Sequence, residues 1–259
     1  MSLFTIIIVV LTVWLAITIP LWVVAAHLRR VGPENNALIA ISCWVNWLYC
    51  KWIHHASYEG LELLPKTNNP GGLIVVSNHR SPIDPMLLQA MCPFKIRWMM
   101  AKDSMTSNLN WMWKLQKQIP VDRDGKDHSS LRISIRHVKS GGVLGVFPEG
   151  AISKPGGTVK PFYKGIGFMI AKTKAPVLLA WIDGTPLPIE LGAALKTTSY
   201  SKVIFLDLID FSNESDPVVI TNQLRKRIAE VSGWPIDDDP LPPIHTIQVD
   251  PFSGLPLIL

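Results

Sequence analysis

The chain alternates between short apolar runs and stretches in which apolar positions recur at helical spacing. Runs of apolar and β-branched residues, most of them bounded by Gly, Pro or polar turns, predict strands at 72–77, 95–101, 118–122, 142–147, 175–181 and 202–208. Helical patterns occupy about 84–92, 104–116, 128–139, 162–174 and 216–232. This alternation predicts an α/β fold: a mixed, mostly parallel sheet flanked by helices.

The N-terminal segment has a different pattern. Residues 3–26 carry no charge, and as a helix their 24 residues span roughly 36 Å, enough to cross a bilayer core. Pro20 predicts a kink. A cleaved signal peptide is the alternative, but the chain starts without a basic residue, and Arg29 and Arg30 follow the apolar run. We therefore predict a retained transmembrane helix over about 3–26, with the rest of the chain on the cytoplasmic face of the membrane. If the organism is bacterial, that membrane is the inner membrane.

A second apolar segment, residues 37–53, is shorter than a comfortable span. Its tryptophans, with Lys51 beside them, are the anchors expected at headgroup depth. We predict an interfacial helix there, and the alternative is an ordinary core helix. The chain is thereby divided into membrane-anchoring helices in residues 1–55, a globular domain in 56–233 and a Pro-rich tail in 234–259.

Composition narrows the class of partner. The chain has a net charge of +5, and 48% of its residues are hydrophobic while only 17% are charged. A basic and apolar chain fits an anionic membrane surface or anionic substrates. The positive charge is scattered and no recognition motif accompanies it, so we expect no nucleic-acid partner. The three cysteines form no CxxC pair, which argues against a zinc site or a disulfide framework, and we expect no metal.

Residues able to do chemistry follow the apolar run at 72–77. His79 lies just beyond its carboxyl end, where ligands bind in sheets of this type. Pro82 suits the first turn of a helix, with Asp84 near the helix start. A turn there could bring the Asp84 carboxylate to one imidazole nitrogen and leave the other nitrogen free to accept a proton from a hydroxyl. A bare HxxxxD arises by chance in about a third of such chains, so a hydrogen-bonded structural histidine is the alternative on this motif alone.

The same arrangement recurs after the run at 142–147, in Phe147-Pro148-Glu149-Gly150. Glu149 would lie at the same sheet edge as His79 if the two strands are parallel. Gly150 allows a ligand to approach the backbone closely. The alternative is a β-turn with a solvated glutamate.

Several cations also follow strand-like runs. Arg123 comes after 118–122, where a guanidinium could clamp a phosphate through two parallel hydrogen bonds, and Lys102 comes after 95–101. Lys160 and Lys164 would share a helical face if the following helix starts early. For any one of them taken alone, a surface cation is the safer interpretation.

The order of these motifs, NHxxxxD, a strand ending in Arg, and FPEG, resembles the glycerolipid acyltransferase family, which includes 1-acylglycerol-3-phosphate acyltransferases. The resemblance covers about residues 70–182. NHxxxxD matches without a gap from Asn78 to Asp84, and FPEG matches fully. The second motif is partial, with Arg123 on the arginine position. After FPEG the family commonly has Thr-Arg-Ser, where this chain has Ala151-Ile152-Ser153.

The resemblance implies a glycerophosphate-acyltransferase-like fold and direct acyl transfer. His79, oriented by Asp84, would deprotonate the hydroxyl of a lysophospholipid, with lysophosphatidic acid the favoured acceptor and phosphatidic acid the product. The alkoxide would attack the thioester of acyl-CoA or acyl-carrier protein, a co-substrate, and no cofactor is expected. Arg123, helped by Glu149 and Gly150, would position the glycerophosphate. The other residues we expect at the substrate site are Asn78, Arg80, Ser81, Lys102, Phe147, Pro148 and Lys164.

Alternatives remain open. Ser81 as an acyl-enzyme nucleophile is disfavoured because no GxSxG elbow surrounds it. The Ala151-Ile152 departure motivates another lysophospholipid, or an aminolipid with a hydroxyl, as acceptor. A non-catalytic lipid-binding membrane protein could share the fold, although His79 and Asp84 are both intact. A bilayer partner follows from the acceptor, because each acyl CH₂ drawn into water costs about 0.8 kcal/mol.

Overall fold

The computed structural model describes residues 3–122, 129–152, 157–239, 248–249 and 256–257. The helices are α1 (Leu3–Val31), α2 (Ala37–Trp52), α3 (Asp84–Gln89), α4 (Asn110–Gln116), α5 (Ser129–Lys139), α6 (Gly165–Thr173), α7 (Leu191–Lys196) and α8 (Pro217–Ser232). The strands are β1 (Ser57–Glu59), β2 (Leu73–Ser77), β3 (Ile96–Ala101), β4 (Ile119–Val121), β5 (Val143–Val146), β6 (Val177–Asp183), β7 (Lys202–Ile209), β8 (Gln248–Val249) and β9 (Pro256–Leu257).

The main sheet has seven strands in the order β1-β7-β6-β2-β5-β3-β4. Every neighbouring pair is parallel except β6 and β7, which are antiparallel. The predicted mixed, mostly parallel sheet is therefore confirmed, and each predicted strand is present within a few residues of its expected bounds. The pattern missed β1, α7 and the two short tail strands β8 and β9. The helix predicted over 104–116 is only partly right, because short 3₁₀ turns precede α4.

Strand β2 lies at the centre of the sheet, between β5 and β6, and all five of its residues are buried. Its side chains alternate between the faces, so Ile74 and Val76 enter one hydrophobic cluster while Leu73 and Val75 enter the other. The first cluster is completed by α5, α6 and α8, and the second by α2, α3 and α7. Because both faces of β2 are covered, polar side chains next to this strand can reach solvent only beyond its ends.

Helix α1 is largely exposed. Thr5–Leu28 has a mean hydropathy of 2.7 and none of it is buried, and by length and composition it could cross a membrane. Helix α2 has one face against the domain, where Asn46 Nδ2 donates to the Met86 carbonyl of α3 over 2.8 Å. Its other face exposes tryptophans, including Trp44. The membrane roles of α1 and α2, and the domain boundaries after residues 55 and 233, stay predictions.

The turn between α1 and α2 is fastened to the amino ends of β3 and β4 by one carboxylate. Glu34 Oε2 lies 2.9 Å from Lys117 Nζ and 3.7 Å from Lys95 Nζ. Burial by itself raises the pKa of Glu34, but the hydrogen bond from Lys117 and the charges of both lysines outweigh it, so the pKa lies below its ordinary value. Asn36 then caps α2, its Oδ1 accepting from Leu38 N over 2.9 Å.

The chain beyond α8 turns back across the domain. We name residues 233–239 the C-terminal strap. It pairs with the segment before α6 through a parallel bridge between Val159 and Ile236. Lys160 Nζ also binds Asp237 Oδ2 over 3.1 Å. The first part of the predicted arm is thus extended and docked on the domain, while most of its remainder lies outside the described residues.

Candidate active site

Three of the predicted strand-end motifs lie at one edge of the sheet. His79 follows β2, Phe147 follows β5 and Lys102 follows β3, and these strands run parallel. Val76 pairs with Val146 across β2 and β5, so the residues beyond each strand leave the sheet at the same level. The carboxyl edge therefore brings together side chains that are about seventy residues apart in the chain.

His79 and Asp84 form the pair expected from their spacing. The His79 Nδ1 and Asp84 Oδ2 atoms are 2.9 Å apart. A carboxylate only accepts hydrogen bonds, so Nδ1 carries the proton and Nε2 is left with a free lone pair. The Asp84 side chain is fully buried, while the imidazole is 17% exposed and can be reached from outside. Pro82 was expected in the first turn of the helix, but α3 begins at Asp84.

The Asp84 carboxylate also holds the backbone of its own turn. Oδ2 accepts from Arg80 N over 2.6 Å and from Ser81 N over 2.8 Å, in addition to the imidazole. One oxygen thus fixes both the turn and the tautomer of His79. Oδ1 is buried and has no hydrogen-bond partner among the described residues.

Asn78 ties the turn to the neighbouring strand. Its Nδ2 donates to the Ile182 carbonyl and its Oδ1 accepts from Ile182 N, both over 2.8 Å. The Asn78 side chain is buried, so both polar groups are satisfied away from water. These side-chain bonds connect the chain after β2 to β6 beyond Ser77 and Ala180, the last backbone pair of the two strands. The prediction that Asn78 binds substrate stays a prediction; in the structure its amide holds the His79 turn against β6.

The His79 imidazole is packed face to face against an aromatic ring. The His79 ring stacks on Phe147 with centroids 4.0 Å apart and planes inclined by 9°. Phe147 in turn stacks on Trp98 of β3 at 4.7 Å. Gly145 makes room for this stack, because a Cβ there would lie 2.4 Å from the Trp98 ring. No sequence feature distinguishes Trp98 from an ordinary strand residue.

The FPEG corner is a tight turn packed against the segment before α6. Gly150 N donates to the Phe147 carbonyl over 3.1 Å, and Tyr163 N donates to the Pro148 carbonyl over 2.9 Å. Gly150 has φ of 73°, and a Cβ there would lie 2.3 Å from Tyr163 Cε2. Glu149 is 6% exposed, so the alternative of a solvated glutamate is wrong.

The structure places the cations predicted from the sequence in different surroundings from one another. Lys102 Nζ pairs with Asp122 Oδ2 at 2.9 Å, across the ends of β3 and β4. Helix α6 begins only at Gly165, so the shared helical face expected for Lys160 and Lys164 is wrong. Lys164 is exposed immediately before that helix. Arg123 lies outside the described residues.

The side chains of Ser81 and Arg80, the remaining polar residues of the first motif, lie away from the His79–Asp84 pair. Ser81 is fully buried and its Oγ lacks a hydrogen-bond partner within the described chain, which weighs against a nucleophilic role. The Arg80 guanidinium lies over the Trp234 ring, with Cζ 4.5 Å from the centroid. No feature of the sequence connects two residues so far apart. Within the described residues, no cluster of three or more His, Cys, Asp or Glu could hold a metal ion.

Comparisons with known proteins agree with this geometry. Residues 55–183 match the protein-family model described as Acyltransferase, a range that includes both motifs. The 1-acyl-sn-glycerol-3-phosphate acyltransferase of Bacillus subtilis (strain 168) is 25% identical over 182 residues, covering 67% of this chain and 89% of that protein. The N-acylphosphatidylethanolamine synthase of Arabidopsis thaliana is 26% identical over 170 residues, covering 59% of each chain.

A solved structure has the same fold. The crystal structure of the 1-acyl-sn-glycerophosphate (LPA) acyltransferase PlsC from Thermotoga maritima superposes with a TM-score of 0.61 at 24% identity. The match covers 74% of this chain and 78% of that one.

Proposed function

Because the chain belongs to the glycerolipid acyltransferase family, we propose that it acylates the hydroxyl of lysophosphatidic acid to give phosphatidic acid. The protein is an acyltransferase with lysolipid acyltransferases among its relatives. The observation that carries the proposal is the His79–Asp84 pair, 2.9 Å apart at the edge where the buried FPEG corner also lies. That pair is the base that direct acyl transfer needs.

In the proposed reaction, His79 Nε2 removes the proton from the acceptor hydroxyl. The oxygen attacks the thioester carbonyl, the carbon–sulfur bond breaks, and the thiolate takes the proton back from the imidazolium. Asp84 stabilises the imidazolium between these two steps without accepting the proton itself. Positioned general-base catalysis of this kind contributes roughly 10²–10⁴-fold. The donor is acyl-CoA or acyl-carrier protein, and no cofactor takes part.

The acceptor is proposed to lie along the carboxyl edge. Arg123 follows β4 in the sequence and is proposed to bind the phosphate, as the resemblance implies. Glu149 is buried, which supports a role in ordering the FPEG corner rather than in direct contact with an anion. Phe147 supports the imidazole, and Lys164 adds positive charge near the rim, while the charge of Lys102 is balanced by Asp122.

We place the active edge against a bilayer, on the cytoplasmic face. The exposed apolar surface of α1 and the exposed tryptophans of α2 support this location. Asn46 of α2 contacts α3, the helix that carries Asp84, so the anchoring hairpin and the proposed base form one connected unit. An acceptor could then stay in the bilayer while its headgroup reaches His79, which avoids the cost of exposing an acyl chain to water.

A second candidate acceptor has its own support. The Arabidopsis relative is named as an N-acylphosphatidylethanolamine synthase. This chain also has Ala151-Ile152-Ser153 where the family commonly has an arginine. Under this reading, His79 would take its proton from a phospholipid amine or from the hydroxyl of another lysolipid.

The test is acyl transfer by the purified full-length chain with labelled acyl thioester and an acceptor panel. The panel contains lysophosphatidic acid, other lysophospholipids and phosphatidylethanolamine. We expect preference for lysophosphatidic acid and at least a 10²-fold loss in His79→Ala. His55→Ala, an exposed histidine stacked on Tyr200, is the matched control. Preference for an amine acceptor would select the second candidate, and near-normal transfer by His79→Ala would refute the mechanism.

A further inference from the structure

The charge of Arg80 is held in an unusual setting. Its guanidinium stacks on Trp234 at 4.5 Å, and its Nη1 is buried without a hydrogen-bond partner among the described residues. Burying a charged donor without an acceptor costs free energy. Stacking compensates for part of that cost but satisfies no N–H group. The side chain therefore has unused donor capacity one residue away from the proposed base.

Trp234 is held in place by contacts on two sides. Its ring meets Trp181 of β6 edge to face, with centroids 4.8 Å apart. Its backbone N donates to Ser232 Oγ over 3.1 Å. Trp181 precedes Ile182, the residue that binds Asn78, so the same part of β6 supports both the His79 turn and the ring under Arg80.

The C-terminal strap that carries Trp234 is anchored independently. Arg225 of α8 reaches across it, with Nη1 2.8 Å from Asp238 Oδ1 and Nε donating to the Lys160 carbonyl over 3.0 Å. The Val159–Ile236 bridge adds backbone pairing. These contacts fix the position of the C-terminal strap against the domain. The Trp234 ring is therefore held in a defined place at the carboxyl edge.

We propose that Trp234, carried by the C-terminal strap, positions Arg80 to bind the phosphate group of the acceptor lysolipid. This inference rests on the proposed function and adds a positioning residue to it. The Trp234 ring covers one side of the guanidinium. The N–H groups that the ring leaves uncovered can bind two phosphate oxygens in parallel.

Phosphate is also present on CoA and on the arm of carrier protein, so the two sources need to be separated. In lysophosphatidic acid the phosphate lies only a few covalent bonds from the acceptor hydroxyl, while in the donor it lies a whole pantetheine arm from the thioester. Arg80 directly follows His79, which must contact the hydroxyl. The short separation favours the acceptor.

The experiment compares wild type with Arg80→Gln, Trp234→Ala, Trp234→Phe and the Arg80→Gln/Trp234→Ala double variant, all as purified full-length chains. We expect the KM for lysophosphatidic acid to rise about 3- to 30-fold in Trp234→Ala, the range of a cation–π contact. In Arg80→Gln, which removes the proposed phosphate ligand itself, we expect a rise at least as large. The KM for the acyl donor should stay within twofold of wild type. Trp234→Phe should restore most of the acceptor KM, and the double variant should be no worse than Arg80→Gln alone.

A binding measurement keeps the test independent of turnover. Glycerol 3-phosphate should raise the Tm of wild type, and this shift should shrink in Arg80→Gln and Trp234→Ala but not in Trp111→Ala, which removes an exposed tryptophan elsewhere. If wild type does not acylate lysophosphatidic acid, the proposed function fails, and the Tm shift still decides the role of Arg80. A rise in donor KM instead, or an unchanged acceptor KM together with an unchanged Tm shift in Arg80→Gln, would overturn the inference.

Discussion

Replacing Asp84 with asparagine separates the charge of this carboxylate from its hydrogen bonds. Asp84 Oδ2 accepts three bonds, from His79 Nδ1 at 2.9 Å, Arg80 N at 2.6 Å and Ser81 N at 2.8 Å. An amide oxygen in the same place can keep all three. The turn should therefore survive in Asp84→Asn, while the imidazolium loses the negative charge that stabilises it.

The expected magnitudes differ between two substitutions at this position. In Asp84→Asn we expect kcat/KM to fall about 10²- to 10⁴-fold, the range of positioned general-base catalysis, with little change in Tm. In Asp84→Ala, two backbone N–H groups of the turn also lose their acceptor. Each buried unsatisfied donor costs about 1–3 kcal/mol, so about 2–6 kcal/mol is lost from a typical unfolding free energy of about 5–15 kcal/mol. Asp84→Ala should thus unfold at a clearly lower temperature.

The assay is steady-state acyl transfer with labelled thioester, together with thermal unfolding of each variant. The His79→Ala/Asp84→Asn double variant tests whether the two side chains act as one unit. If they do, the double variant is no slower than His79→Ala. The reasoning fails if Asp84→Asn stays within a few-fold of wild type, or if the losses from the two single variants multiply in the double variant.

Three other predictions concern residues that stabilise the fold: Asn78, Gly150 and Glu34. Asn78→Asp puts an acceptor opposite the Ile182 carbonyl in a buried place, so the free energy of unfolding should fall by about 1–3 kcal/mol in denaturant titrations. Gly150→Ala should lower both Tm and acyl transfer because the new Cβ meets the Tyr163 ring, whereas Gly165→Ala, with nothing within 4 Å of its Cβ, should keep or raise Tm. Glu34→Gln should lower Tm at pH 7. Because the folded pKa of Glu34 is lowered, its stabilisation is present above its ordinary value of 4.5, and the difference between the two proteins should shrink as pH falls below that value.

The features that sequence reasoning recovered are local in the chain. His79 and Asp84 are five residues apart, so one turn brings them together whatever the rest of the fold does. The strands were visible because burial on both faces demands unbroken apolar runs, as in β2. Strand β1 was not visible, since it has only three residues and an exposed–intermediate–exposed burial pattern. Its pairing with β7 compensates for a weak local signal.

The features that sequence reasoning missed depend on which strands lie side by side, although those strands are far apart in the chain. Lys102 meets Asp122 only because β3 and β4 lie side by side. The Phe147–Trp98 stack likewise requires β5 and β3 to be neighbours with Trp98 opposite Gly145. Residue types alone do not specify such pairs, because many glycines and aromatic residues would fit the same pattern. The space that Gly145 leaves for the Trp98 ring shows that the choice is made by packing.

The division between local and distant contacts has a consequence for the chemistry. The base and its carboxylate are fixed within one turn, so substitutions elsewhere should leave their mutual geometry intact. The rings that contact His79 and Arg80 come from separate elements: Phe147 from the end of β5 and Trp234 from the C-terminal strap. Changes that loosen those elements should therefore raise the acceptor KM before they lower kcat. The same fold could in this way retain one acyl-transfer step while its acceptor changes, as the differing names of its two relatives illustrate.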